Sequence, residues 1–158
     1  MLINLVFTFI LASILISISK EDIKTMLISE NKLRKFALAG ILYLLSIGLS
    51  TSENIIYLIL NNFIAMLIVY LVMLSISFIS YKLLHINSLG LGDIKISSIS
   101  SIWIGIELSF LSLCIAFLLS SIYSIYGKVT KKFKTLHQYP FAPFLSIGIF
   151  CSWILDKI

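Results

Sequence analysis

Residues 96–126 have the sequence ISSISSIWIGIELSFLSLCIAFLLSSIYSIY, an apolar stretch of 31 residues whose only charged side chain is Glu107. As a single helix it would measure about 46 Å, whereas the hydrocarbon core of a bilayer is roughly 30 Å thick. Lys95 stands at its start and Lys128 just past its end, and basic residues tend to stay on the inner side of a membrane. The chain then crosses an even number of times between them. The stretch therefore predicts a hairpin of two transmembrane helices that turns near Gly105 and Glu107.

The composition of the whole chain agrees with a membrane protein. Of 158 residues, 59% are apolar and only 12% are charged, and the mean hydropathy is +1.09. Such a small number of charged side chains cannot cover the surface of a water-soluble globule. We therefore expect the lipid bilayer to be the partner that surrounds the protein. The net charge of +5 would suit nucleic-acid binding, but the basic residues lie in short loops between apolar runs. The sequence predicts an all-α, polytopic membrane protein that forms one membrane-embedded domain over residues 1–158 and binds no nucleic acid.

Four further apolar runs bring the predicted number of transmembrane helices to six. No basic residue precedes the first run and two lysines follow it, so we expect a retained span rather than a cleaved signal peptide. The four runs are Leu2 to Ser19, Phe36 to Leu49, Ile55 to Ser80 and about Tyr139 to Leu155.

The charges give this topology an orientation. With both termini outside, eleven of the twelve Lys and Arg residues fall on the inner side and only Lys157 lies outside. The turns at Glu53 and Glu107 then face outward. Four aromatic residues near the proposed outer ends are expected to form an interfacial belt: Tyr43, Tyr57, Trp103 and Trp153.

The segment just before the long apolar stretch, LGLGDIK at residues 89–95, carries an acid at the membrane edge. An acid there is costly and by default marks a functional site. Gly90 and Gly92 remove side-chain bulk, so another chain can approach Asp93 closely. A Gly-x-Gly-Asp string alone is weak evidence, because such turns also connect ordinary helices.

A second acid strengthens the case. Asp22 follows the first span and Asp93 precedes the fourth, so both lie on the inner side although 71 positions separate them. Two carboxylates that share one proton are the machinery of aspartic proteolysis. The alternative is that Asp22 is a solvated loop residue and Asp93 a helix cap. On topology alone both interpretations stay open.

Other polar residues give weaker evidence for a functional site. His85 and His137 share the inner side, but no spacing pairs them with further metal ligands. Cys114 and Cys151 lie singly within apolar runs and form no metal-binding pair. We predict neither a metal site nor a cofactor.

Three blocks of this sequence resemble the type IV prepilin peptidases, which are membrane aspartic proteases of the Gly-x-Gly-Asp kind. The first block is Asp22 to Ser29, and the second is Leu89 to Lys95, continued by Trp103-Ile104-Gly105. The third is Pro140-Phe141-Ala142-Pro143-Phe144-Leu145 with Gly148, similar to the family's Pro-Phe-Gly-Pro-Phe. The three blocks stand in the family's order, and the resemblance covers essentially the whole chain.

The resemblance implies an aspartic endopeptidase of the inner membrane with Asp22 and Asp93 as its catalytic pair. It implies a prepilin or pseudopilin substrate, cut after a Gly at the end of a short basic leader on the cytosolic side. From the dipoles of the flanking helices, Asp93 is expected to be the base and Asp22 the acid. Residues expected to bind substrate or support the site are Gly90, Gly92, Lys95, Pro140, Phe141 and Pro143.

The chain also departs from the family pattern. Ser29 and Glu30 replace the usual Pro-Asn, which is expected to leave the segment after Asp22 less rigid, and Ala142 stands where Gly is common. The cysteine-rich insertion that accompanies N-methylation in bifunctional members is missing, so we expect a peptidase-only form. The alternative from another class is a small transporter or assembly subunit that uses the two acids to bind a cation. The sequence does not decide the particular substrate or the oligomeric state.

Overall fold

A computed structural model describes residues 2–51, 54–84, 89–131 and 139–157. Within these ranges the chain forms helices and no strands. Four of the five described helices, the first four in chain order, are long and apolar enough to cross a membrane. The protein is thus a multi-pass, all-α membrane protein, as predicted. The helices are α1 (Leu2–Thr25), α2 (Glu30–Thr51), α3 (Ile55–Leu84), α4 (Leu91–Val129) and α5 (Ala142–Lys157).

The polar segment between the first two apolar runs is mostly helical, which differs from the expected loop. Helix α1 continues to Thr25 and ends at Met26, whose φ of 52° lies in the left-handed region. Helix α2 already begins at Glu30, an acid in the first turn that suits the helix dipole. Only residues 26–29 connect the two helices, and Asp22 lies inside the last turn of α1.

Helix α4 changes direction at Gly105, the position where a turn was predicted. Gly105 has φ 70° and ψ −176°, a combination essentially restricted to glycine. Just before it, the ring of Trp103 packs 5.7 Å from that of Trp153, near the end of α5. Fifteen residues after it, the Ser120 hydroxyl lies 2.9 Å from that of Tyr139, just before α5 begins. The second half of α4 therefore runs back along α5, as the predicted hairpin requires; the total of six spans stays a prediction.

An aromatic cluster fills the core near the turn of α4. Tyr43 and Trp103 stack at 5.8 Å, and Trp153 meets both edge-on. The indole N–H of Trp103 donates to the Phe36 carbonyl at 3.1 Å. The prediction of an interfacial aromatic belt was wrong for these three rings, which are at most 2% exposed, whereas Tyr57 is 71% exposed. They are buried because their large apolar areas join α1, α2, α4 and α5 in one core.

The outer surface of the bundle is apolar, as a protein in lipid requires. Helix α3 in particular exposes large side chains along its length. These are Ile56, Tyr57, Leu60, Phe63, Ile64, Leu67, Tyr70, Leu71, Phe78, Ile79, Tyr81 and Leu83. Such a surface would be unfavourable in water and is stable against acyl chains.

Candidate active site

Asp22 is held against the start of α5. Its side chain is 5% exposed, and its Oδ2 accepts a hydrogen bond of 2.9 Å from the N–H of Ala142, the first residue of α5. The first N–H groups of a helix have no partner within the helix, and the helix dipole favours a negative charge there. Asp22 supplies that partner. The interpretation of Asp22 as a solvated loop residue is therefore wrong.

Asp93 lies in the first turn of α4. Gly90 is the residue before the helix, and the N–H of Asp93 donates to the Gly90 carbonyl at 3.1 Å. The Asp93 side chain is 9% exposed and does not cap the helix. Its Oδ1 is buried and has no hydrogen-bond partner among the described residues. A buried polar atom without a partner is costly, so this oxygen is available to a ligand.

The fold brings the two acids into one site. The Asp22 carboxylate is close enough to act electrostatically on Asp93. Two buried carboxylates at short range disfavour the doubly ionised state, both because burial removes water and because like charges repel. Two carboxylates that share one proton can activate water with one member and polarise a carbonyl with the other.

The two glycines before Asp93 are both in close contact. A Cβ at Gly90 would lie 3.2 Å from Oδ2 of Asp93. A Cβ at Gly92 would lie 2.9 Å from Cδ1 of Ile28, which belongs to the connection between α1 and α2. Glycine at these two positions thus lets the turn fit beside the acid and beside the neighbouring segment.

The Pro140 block leads into the start of α5. The Phe141 carbonyl accepts from the N–H groups of Phe144 and Leu145, which starts the helix. Pro143 lies in the first turn, where a missing N–H costs no helical bond. The ring of Phe141 packs 5.3 Å from that of Phe117 in α4. By setting the direction of α5, the block aims the N–H of Ala142 at Asp22.

Lys95 pairs with an acid other than Asp22 and Asp93. The Lys95 side chain is partly exposed and forms an ion pair with Glu30. His85 and His137 lie outside the described residues. Among the residues that the structure describes, no three His, Cys, Asp or Glu side chains come together in a way that could hold a metal ion.

Two contacts beside the acids were not predicted from the sequence. The Glu21 carboxylate accepts hydrogen bonds from the N–H and the hydroxyl of Ser29, both at 3.2 Å. Ile28 packs on Gly92. Glu21 directly precedes Asp22, but no local pattern reveals that its side chain reaches eight residues ahead.

The family model for the type IV leader peptidase family matches residues 9–125, well over half of the chain. The chain belongs to the type IV leader peptidase family. The matched residues include both acids and the Gly-x-Gly-Asp turn, and they end before the Pro140 block. No curated protein and no solved structure matches the chain. Membership in this leader peptidase family identifies a membrane-embedded protease, as the resemblance implied.

Proposed function

We propose that this leader peptidase is an aspartic endopeptidase that removes the short basic leader of type IV prepilins or pseudopilins. One observation carries the proposal: two acids 71 positions apart in the sequence lie buried within electrostatic reach, and Oδ1 of one has no partner among the described residues. A catalytic pair needs this arrangement, whereas a cation site would direct more oxygen ligands at one point.

The hydrogen bonds favour particular roles for the two acids. Both carboxylates lie at helix N-termini, Asp22 at α5 and Asp93 at α4, where the dipole favours a negative charge by about 0.3–1 kcal/mol. Asp22 also lies in the last turn of α1, whose dipole opposes such a charge. Asp22 has in addition the 2.9 Å bond from Ala142, which stabilises its ionised form. Oδ1 of Asp93 has no such donor among the described residues, although the main chain of Gly90 interacts with the same carboxylate. We therefore assign the base to Asp22 and the proton to Asp93, the reverse of the order expected from α1 and α4 alone.

The reaction then follows with balanced protons. The Asp22 carboxylate takes a proton from water while the water oxygen attacks the scissile carbonyl carbon. The carboxyl group of Asp93 transfers its proton to the carbonyl oxygen, and a tetrahedral diol results. Asp22 next gives its proton to the departing amide nitrogen, the C–N bond breaks, and a hydroxyl proton of the diol returns to Asp93. The products are a leader that ends in a carboxylic acid group and a mature pilin with a free amine.

The orientation in the membrane follows from the charges. Asp22, Asp93 and Ala142 meet at one end of the bundle, and the Trp103 and Trp153 cluster lies towards the other. We place the end with the acids at the cytosolic face of the inner membrane and both termini outside, because eleven of the twelve Lys and Arg residues then lie inside. A prepilin leader with its apolar helix in the bilayer presents its junction at this face.

The experiment that tests the proposal is cleavage of a purified prepilin by the purified protein in lipid nanodiscs. Mass spectrometry of the product should show loss of the leader after a Gly, with no metal added and with EDTA present. Cleavage that is lost with EDTA and restored by Zn²⁺, or cleavage by a metal-free preparation at another bond, would contradict the proposal.

A further inference from the structure

The connector, residues 26–29 between α1 and α2, lies between the two turns that carry the acids. It begins at Met26, whose N–H donates to the Asp22 carbonyl at 2.8 Å. It ends at Ser29, whose carbonyl accepts from the first turn of α2. Because the connector leaves the acid-bearing turn of α1 directly, its position is tied to that of Asp22.

Glu21 fastens the far end of the connector back onto α1. Oε2 of Glu21 accepts from both the N–H and the hydroxyl of Ser29, and it lies 3.4 Å from Nζ of Lys32. Lys32 in turn donates to the Ser17 carbonyl at 2.6 Å. The ion pair is about three-quarters buried on both sides, with side-chain exposures of 29% and 26%. One carboxylate therefore closes the connector and joins α2 to α1.

The connector also touches the second acid-bearing turn. Ile28 packs closely on Gly92. A Cβ added to Gly92 would lie 2.9 Å from Cδ1 of Ile28 and 3.3 Å from Cβ of Ile28. Just past the connector, Glu30 forms an ion pair with Lys95. Gly92 before Asp93 and Lys95 after it therefore both contact residues 28–30.

These contacts fall at the positions where the chain departs from the family's usual Pro-Asn. Ser29 and Glu30 were expected to leave the segment less rigid, but each of them makes a side-chain bond that fixes it. A proline would have stiffened the main chain by itself, whereas Ser29 depends on an acceptor. Glu21 is that acceptor.

We propose that Glu21 is a positioning residue for the catalytic pair, acting through the connector and Ile28 on the turn that carries Asp93. The inference rests on the proposed function. Glu21 itself touches neither acid's reacting atoms; it determines where Ile28 lies, and Ile28 determines how closely the Gly92 turn approaches α1.

The test is a double-mutant cycle on prepilin cleavage with purified protein in nanodiscs. Glu21→Ala removes both Ser29 bonds and the Lys32 pair, and Ile28→Ala removes the contact with Gly92. Each should lower kcat about 10- to 100-fold with KM within about threefold, since misplacement by about 1 Å costs this much. The double variant should be no slower than the slower single variant, because both break the same chain of contacts. Glu21→Gln keeps an acceptor for Ser29 and should retain most of the activity.

The controls separate this inference from the proposed function and from misfolding. Glu107→Ala removes an exposed acid next to the turn of α4 and should leave kcat unchanged. Suppose that wild type cleaves and the dyad variants do not, but the kcat losses of Glu21→Ala and Ile28→Ala multiply in the double variant. The positioning role then fails, while the proposed function stands. If wild type does not cleave, both fail. If Glu21→Ala does not fold, Ser29→Ala replaces it in the cycle. Losses in kcat that multiply when Ser29→Ala is combined with Ile28→Ala again overturn the inference.

Discussion

The carboxylate of Asp22 accepts a hydrogen bond from the main-chain N–H of Ala142 at 2.9 Å, although 120 positions separate the two residues. This bond joins the end of α1 to the start of α5, and it places a negative charge where the dipole of α5 favours one. It also gives a structural reason for the proline-flanked segment before α5: the segment starts the helix at the residue whose N–H faces the acid.

Both acids are expected to be essential. Asp22→Asn and Asp93→Asn should each lower kcat for leader cleavage by at least about a hundredfold, since general acid–base catalysis contributes on the order of 10²–10⁴. Quantitative mass spectrometry of the pilin N-terminus measures this. Asp156→Asn, which changes an exposed acid at the far end of α5, is the matched control and should cleave normally. Near-normal cleavage by either dyad variant would rule out the aspartic mechanism.

Gly105→Ala should destabilise the fold through its main chain. The site has room for a Cβ, whose nearest described neighbour is Oδ1 of Asn62 at 3.8 Å, but its φ and ψ are close to glycine-only values. The cost should be about 1–3 kcal/mol. Unfolding in mixed micelles, followed by circular dichroism, gives the free energy. The exposed neighbour Glu107→Ala should change it by no more than about 0.5 kcal/mol. Equal stability of the two variants would mean that α4 does not turn at Gly105.

Gly40→Ala should disturb the aromatic cluster. A Cβ at Gly40 would lie 2.7 Å from Nε1 of Trp103, the atom that donates to the Phe36 carbonyl. Displacing the indole costs this hydrogen bond, about 0.5–1.5 kcal/mol, in addition to the strain of the crowded core. The same unfolding assay applies, together with the tryptophan emission maximum. Leu38→Ala, on the exposed face of α2, is the control. An unshifted emission and an unchanged stability in Gly40→Ala would contradict this packing.

The orientation in the membrane can be tested with single cysteines. In a Cys114→Ser, Cys151→Ser background, Glu107→Cys should react with a membrane-impermeant maleimide in intact cells. Lys131→Cys, on the side with most basic residues, should react only after permeabilisation. Residues 107 and 131 are both exposed on the protein, so a difference in labelling reports the side of the membrane and not burial within the protein. Labelling of Lys131→Cys in intact cells would reverse the topology. The outward turn predicted at Glu53 lies outside the described residues.

The sequence alone was sufficient for the class of fold and for the choice of the two candidate acids. Apolar runs of bilayer length specify membrane helices because lipid cannot satisfy an open backbone, and this constraint acts locally. The turn at Gly105 was predictable for the same reason, since a 31-residue run is too long for one span. The Gly-x-Gly-Asp motif, Asp22 and the Pro140 block were found as short local patterns, and the family match over residues 9–125 spans the first two.

Only the tertiary structure determined which of these segments contact one another. Asp22 was expected beyond the end of the first span; it lies in α1, and its partner is the N–H of Ala142. A hydrogen bond over 120 positions leaves no mark on local periodicity. Three of the four aromatic residues expected at the membrane interface form a core instead, because burial against neighbouring helices depends on which faces pack together. Ser29 and Glu30, which break the family pattern, are fixed by Glu21 and Lys95. Local composition determines which segments become helices, whereas the contacts between helices determine which side chains share a site.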